Sequence, residues 1–184
     1  MKKIFLFIVL VSLISCKAQT YPLRTYGISI PMNAYLKDTN NELPAYEGTW
    51  KGMWNNKIIY ITLKKLNYHY REPLNYYIDI LIGKFKVTDN SGNILFDNTN
   101  LPDTEAKIEG GRFRKKDGKY SLTYSDSEIC GLNGFIQINF TDSTKTKLAW
   151  KFNEGDFIIT KDCPYYSSPE FPQPLPKEII LIKQ

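Results

Sequence analysis

Histidine is all but missing. His69 is the only one in 184 residues, so no multi-histidine metal site can be assembled from this chain. No serine near it is marked as the nucleophile of a Ser-His-Asp arrangement. Cysteine is scarce too: Cys16, Cys130 and Cys163 are the three present, and none are spaced as Cys-x-x-Cys, the usual redox and zinc signature. Phosphate loops and nucleophile elbows are lacking. No apolar run is long enough to span a bilayer as a helix, and no stretch after residue 15 keeps a helical period. These absences argue against most familiar catalytic and cofactor classes, and neither a metal nor a cofactor is expected.

The apolar run that does exist is short and N-terminal. Lys2 and Lys3 form a positive n-region and residues 4–14 an apolar h-region. Leu13-Ile14-Ser15-Cys16 closes it and resembles the lipobox of bacterial lipoproteins, where the peptidase cuts before a cysteine whose sulfur carries a diacylglyceryl group. The resemblance implies a signal peptide at 1–15, lipidation (palmitate-type chains) at Cys16, a tether over 16–26 and a single β domain over 27–184. An ordinary secretory signal with an incidental Cys16 is the rival reading. Two or three acyl chains, at about 0.8 kcal/mol per buried methylene, make a stable anchor. In lipoprotein sorting an acidic residue after the cysteine favours the inner membrane, so Lys17 points to the outer membrane. No acidic run argues for surface display, and a periplasm-facing position is expected.

The domain is mildly basic. Without Lys2 and Lys3 the formal charge of +5 falls by two, and cations and acids are interspersed. The densest basic stretch is Arg112-Phe113-Arg114-Lys115-Lys116. It has the chemistry to meet phosphate or lipid headgroups, and it reads equally as a solvated hairpin end. An exported address argues against nucleic acid as a partner. With Cys16 assigned to lipid, Cys130 and Cys163 form an even pair that reads as a disulfide in an oxidising compartment. A redox or metal pair is the alternative.

Short alternating runs punctuated by turns make up the rest. Thr39-Asn40-Asn41-Glu42 offers a cap for one short helical turn before Pro44. Strands are expected at 47–54, around Ile59, Ile61 and Leu63, and over 76–88, with His69 in a loop between the last two. Along 76–88 the apolar phase switches at Gly83, from Ile78, Ile80 and Ile82 to Phe85 and Val87, which predicts a bulge or barrel corner. After the Asp89-Asn90-Ser91-Gly92 turn come a strand at 94–96 and a hairpin pairing 108–114 with 120–125. Further strands run around Ile136, Ile138 and Phe140, around Leu148, Trp150 and Phe152, and at 157–160. A proline-rich crossover (Pro164 to Pro176) leads to a closing strand at 178–183. About nine or ten strands with hairpin-like connections make an all-β fold, an antiparallel barrel or sandwich.

Gly48-Thr49-Trp50, at the start of the first expected strand, resembles the Gly-x-Trp signature of lipocalin and avidin-like barrels. There the tryptophan plugs the closed end beneath a basic residue from a late strand. Lys183 or Lys161 is available for that part, where lipocalins use arginine. The resemblance implies a lipocalin-like barrel whose open end is the default ligand site. Trp50, Tyr120, Tyr124, Trp150 and Phe152 are the candidate ligand contacts, with plain core as the alternative. Tyr68, Tyr70, Tyr76 and Tyr77 cluster around one hairpin; exposed, they suit contact with a protein or glycan, and buried they are strand core. Two of Asp79, Glu105, Glu109, Asp126, Glu128, Glu154 and Asp156 would serve a glycosidase-like acid and base, but their spacing singles out no pair.

Across nearly the whole chain, Ser15-Cys16-Lys17-Ala18-Gln19, Tyr46-Glu47-Gly48-Thr49-Trp50-Lys51-Gly52, Asn100-Leu101-Pro102, Cys130-Gly131-Leu132-Asn133-Gly134 and Asp162-Cys163-Pro164 carry a further likeness. It is similar to a family of short Bacteroidota lipoproteins of unknown function. That resemblance implies a lipid-anchored envelope protein with Cys130 paired to Cys163, and it supplies no catalytic residue. The first expectation is therefore a non-catalytic module taking a small apolar or amphipathic ligand. A protein- or glycan-interaction lipoprotein comes second and a carboxylate-pair hydrolase last. A roomy cavity at Trp50, Trp150 and Phe152 separates the first from a filled core with an exposed aromatic patch.

Overall fold

The computed structural model describes residues 19–184; the expected signal peptide and the lipidation site Cys16 lie outside the described residues. Two short strands, β1 (Thr20–Pro22) and β2 (Tyr35–Lys37), precede the first of four short 3-10 segments, at Leu43–Tyr46. The long strands follow: β3 (Gly48–Trp54), β4 (Lys57–Arg71), β5 (Tyr76–Asp89), the short β6 (Ile94–Asp97), β7 (Ile108–Phe113), β8 (Tyr120–Asp126), β9 (Leu132–Phe140), β10 (Lys147–Glu154) and β11 (Glu178–Lys183). Period-two patterning builds these walls. Ile59, Ile61 and Leu63 on β4, Leu122 on β8, and Ile136 and Ile138 on β9 alternate inward and are buried. Each contributes roughly 1.5–3 kcal/mol through that burial.

Eight strands, β3 to β5 and β7 to β11, close an antiparallel up-and-down barrel. Closure comes from β11 pairing back onto β3, with Ile182 opposite Lys51 and Lys183 opposite Trp50. This settles the fold as a barrel rather than a sandwich. The outer edge of β5 serves three partners along its length: parallel β2 at Tyr77 and Ile78, β7 at Ile82 and Gly83, and β6 at Lys86 to Thr88. The end holding Trp50 and the 3-10 turn is the closed end. The opposite end, at the β3–β4 and β8–β9 connections, is the mouth.

The expected strands at 47–54, 76–88, 94–96, 108–114, 120–125 and 178–183 all form within a residue or two. Several other expectations are corrected. The sheet has eleven strands, because β1 and β2 are too short to show a period. Residues 20–26, expected as tether, pack on the body instead: Thr20 sits opposite Tyr35, and Arg24 grips Glu42 with Nε–Oε2 and Nη2–Oε1 distances of 2.8 and 2.7 Å. The helical turn starts at Leu43, because the Asp38 carboxylate accepts from the amides of Glu42 and Leu43, both at 2.9 Å. Gly83 carries no bulge. The register slip lies on β4 between Leu66 and His69, where Tyr68 has φ 57°. The phase switch on β5 has another cause: Ile82 shares a face with Lys84 and is roofed by the 99–103 segment, to which Lys84 is bonded at Leu101 O and Asp103. His69 is therefore on β4, not in a loop. Residues 157–160 form no strand, because β9 and β11 already occupy both edges of β10.

Candidate functional site

The closed end is built around Gly48 and Trp50. Gly48 has φ 113°, and a Cβ there would meet Lys183 Cε at 3.4 Å. That backbone turns the chain from the 3-10 segment into β3 and drops Trp50 into the core, where it is fully buried. Its Nε1 donates to Tyr46 O at 2.8 Å. Lys183, rather than Lys161, lies over the indole with Nζ 5.2 Å from the ring centroid, and donates to Ala45 O at 3.1 Å. Tyr46 stacks on Phe140 at 4.3 Å, so the 3-10 turn and the end of β9 seal this end together.

Trp50, Tyr120, Tyr124, Trp150 and Phe152, the residues expected around a ligand, are all buried and packed within the protein. Tyr124 meets Phe152 edge-on at 5.8 Å, and Tyr120 meets Phe113 at 4.9 Å. Their polar atoms are taken by the protein. Trp150 Nε1 donates to Pro176 O at 3.1 Å, Tyr124 Oη donates to Asp126 at 2.9 Å, and Tyr120 Oη accepts from Leu81 N at 3.1 Å. Burial pushes the Tyr120 and Tyr124 phenols well above their ordinary range, and the Asp126 charge adds to the effect on Tyr124. These five side chains fill the interior.

At the mouth, residues 155–177 cross from β10 to β11 as a strap. The Cys130–Cys163 disulfide, with Cα atoms 5.4 Å apart, ties it to the β8–β9 connection. The strap's own Leu175 is buried, and Phe171 contacts Phe157 at 5.0 Å and Tyr165 at 5.9 Å. Between the strap and β6 runs a cleft of about 540 Å³, with Leu95, Phe96, Phe171 and Pro172 as apolar lining and Lys57 and Glu170 among its polar groups. Behind Leu95 and Phe96 is a smaller recess of about 160 Å³ that reaches Lys107, Asp126 and Tyr165. There Lys107 bonds Asp126 at 2.8 Å and also Glu128. Burial disfavours the lysine charge, but the hydrogen bonds it donates to both carboxylates outweigh that and raise the Lys107 pKa. Asp126 and Glu128 thus come together through a cation rather than as a free acid and base.

Three of the four candidate interaction tyrosines come together at the closed end. Tyr68 stacks on Tyr77 at 4.0 Å, Tyr70 lies 5.1 Å from Tyr77, and Tyr35 joins by packing edge-on to Tyr68 at 4.8 Å. Tyr68 and Tyr70 are exposed, whereas Tyr76 turns into the core. Beneath them is a polar knot that the sequence did not announce. Buried Asp79 accepts from Tyr35 Oη at 2.5 Å, Asp38 N at 2.9 Å and Tyr68 N at 3.1 Å. Lys65 Nζ reaches Asp38 at 3.1 Å and Asp79 at 3.9 Å. His69, next to Tyr68 on β4, has Nε2 3.7 Å from Glu109, which Arg71 also binds at 2.8 Å. Among the described residues no three His, Cys, Asp or Glu side chains are grouped to hold a metal.

The model of a family of unknown function, DUF6705, matches residues 1–184. Neither a curated protein nor a solved structure matches the chain.

Proposed function

The chain belongs to the DUF6705 family, and on that premise we propose that it is a lipid-anchored, non-catalytic binding barrel of the outer membrane, facing the periplasm and taking a small amphipathic ligand at its mouth. The observation that carries this reading is the cleft of about 540 Å³ between β6 and the strap. Its size is within the roughly 300–1,000 Å³ of small-molecule sites, and its mixed lining, in which Leu95, Phe96, Phe171 and Pro172 stand beside Asn55, Lys57, Glu170 and Gln173, suits a ligand with both an apolar and a polar part. The filled interior moves the ligand from a deep pocket to this rim. Leu95, Phe96, Phe171 and Pro172 would bury its apolar part, and Lys57 and Glu170 would orient its polar end. Acid–base chemistry finds little support, since Asp126 and Glu128 are held by Lys107, and Asp126 also by Tyr124. The anchor is Cys16, at the close of a lipobox-like N-terminus.

Native mass spectrometry on the protein purified from envelopes tests the binding. The expected result is an adduct of defined mass that is lost on denaturation and absent from the Leu95→Asp variant. A bare mass for the native protein, or an adduct that survives Leu95→Asp, refutes the assignment to this cleft.

A further inference from the structure

We propose that the closed end is a membrane-docking face, on which the tyrosine patch and the basic β7–β8 hairpin rest against anionic lipid headgroups and hold the mouth away from the bilayer. The inference rests on the proposed acylation of Cys16. Three independent features converge on that end.

The first is the entry of the chain. Tyr35 N donates to Gln19 O at 2.8 Å, fixing Gln19 beside β2 at the closed end. Cys16 is three residues earlier, and a fully extended chain covers at most roughly 11 Å over that interval. An acyl chain at Cys16 therefore brings the Tyr35–Tyr68–Tyr77 cluster to within about one headgroup layer of the bilayer, whatever path the linker takes.

The second is the chemistry of the surface brought there. Tyr68 and Tyr70 are exposed at 48% and 43%, and beside them Met32 and Leu74 stand out at 73% and 51% on adjoining loops tied by Asn33 N donating to Asn75 O. Tyrosines with an apolar ring and a polar tip are the side chains that settle at a membrane–water interface, with neighbouring Met and Leu able to enter the acyl boundary. The polar knot of Asp79, Asp38 and Lys65 sets the rings from behind, so the patch is pre-formed.

The third is charge. The β7–β8 hairpin carries Arg112, Arg114, Lys115, Lys116 and Lys119 at the closed end, with Lys115 and Lys116 exposed. It adjoins the entering chain, because Tyr26 Oη donates to Phe113 O at 2.8 Å and Arg112 donates to Thr25 O. Acids predominate at the other end, where Asp97, Asp126, Glu128, Asp156, Asp162 and Glu170 outnumber Lys57, Lys107, Lys161 and Lys177 around the mouth and strap. Each lysine brought to an anionic leaflet strengthens binding roughly fivefold, and the opposite pole is repelled. A short tether also supplies an effective concentration in the millimolar range, so a face too weak to bind vesicles alone still orients an anchored barrel.

The test is hydrogen exchange on the full acylated protein, with intact mass first establishing the acyl chains on Cys16. If that mass shows no acylation, the anchoring reading fails before docking is addressed. With acylation established, amides of residues 66–77 and 112–119 are expected to exchange at least threefold more slowly in phosphatidylglycerol-containing vesicles than in neutral detergent. The slowing should shrink in 0.5 M salt. The Tyr70→Glu, Leu74→Glu double variant changes only exposed positions and should lose the slowing at 66–77 while keeping its circular dichroism spectrum. Unchanged exchange at both segments, or slowing confined to residues 155–177, overturns the proposal; so does slowing at 66–77 that the double variant retains.

Discussion

Breaking the Cys130–Cys163 bond should cost the same stability whichever cysteine is removed. The bond closes a loop over a sequence separation of 33. In the chain-entropy model, the unfolded chain regains about 12 cal/mol/K when such a loop is opened, or about 3.7 kcal/mol at 25 °C. For a domain of this size about 2–4 °C accompanies each kcal/mol, so a fall in Tm of roughly 7–15 °C is expected. The native strap should stay in place at lower temperature, since its Leu175 is buried and Trp150 donates to Pro176 O independently of the bridge. The assay is thermal unfolding by circular dichroism on Cys130→Ser, Cys163→Ser and the double variant, with the near-ultraviolet tryptophan bands checking the folded baseline. All three should fall by one common amount, and wild type in reductant should join them. Losses that add in the double variant would refute the bond as the source. A common loss below about 1 kcal/mol would refute the loop-entropy calculation.

Two other outcomes follow from the interior. Tyr120→Phe keeps the ring but removes the acceptor of the Leu81 amide, so the urea midpoint should fall by an amount equivalent to about 1–3 kcal/mol; an unchanged midpoint refutes that bond. Burial, helped by the Glu42 charge, pushes the Tyr46 phenol up to about 12, and Tyr120 and Tyr124 are raised further. The folded state therefore holds these protons more tightly than the unfolded chain, whose tyrosines titrate near about 10. Their stabilisation is complete below about pH 10 and is lost as pH rises through the folded values. A urea midpoint at about pH 11.5 equal to that at about pH 9 contradicts this sign.

Most of the barrel was legible because alternation is a one-dimensional signal. Tyr120, Leu122 and Tyr124 announce an inward face, and each finds its partner across a short turn. The Gly48–Trp50 pair carried more than local information, since it implied a basic residue from the far end of the chain, which proved to be Lys183. Volume is what a pattern does not encode. The same five aromatic and tyrosine positions would line a hollow barrel or fill one, and only their contacts across the interior decide. Buried charges were hidden for a related reason. Asp38, Lys65 and Asp79 look like surface residues until partners 27 and 41 positions apart meet. Tyr35 was missed because β2 has three residues, too few to show a period. Of the bulge or barrel corner expected at Gly83 the bulge is absent, since an apolar residue roofed from outside mimics a change of phase, and the irregularity at Tyr68 on β4 left no mark in the pattern.

The join between β3 and β11 has a consequence for how the molecule is made. Every other wall of the barrel pairs strands adjacent in the chain or separated only by the short β6 excursion, and such contacts can form as soon as both partners exist. The seam at Trp50 and Lys183 unites the two ends of the domain, so loop closure over nearly its whole length precedes the contact. Until residues 178–183 arrive the sheet is curled but unsealed, with two raw edges and Trp50 uncovered. Deleting those residues should therefore abolish the cooperative transition rather than trim it. The barrel acquires its rigidity only when its last strand closes that seam.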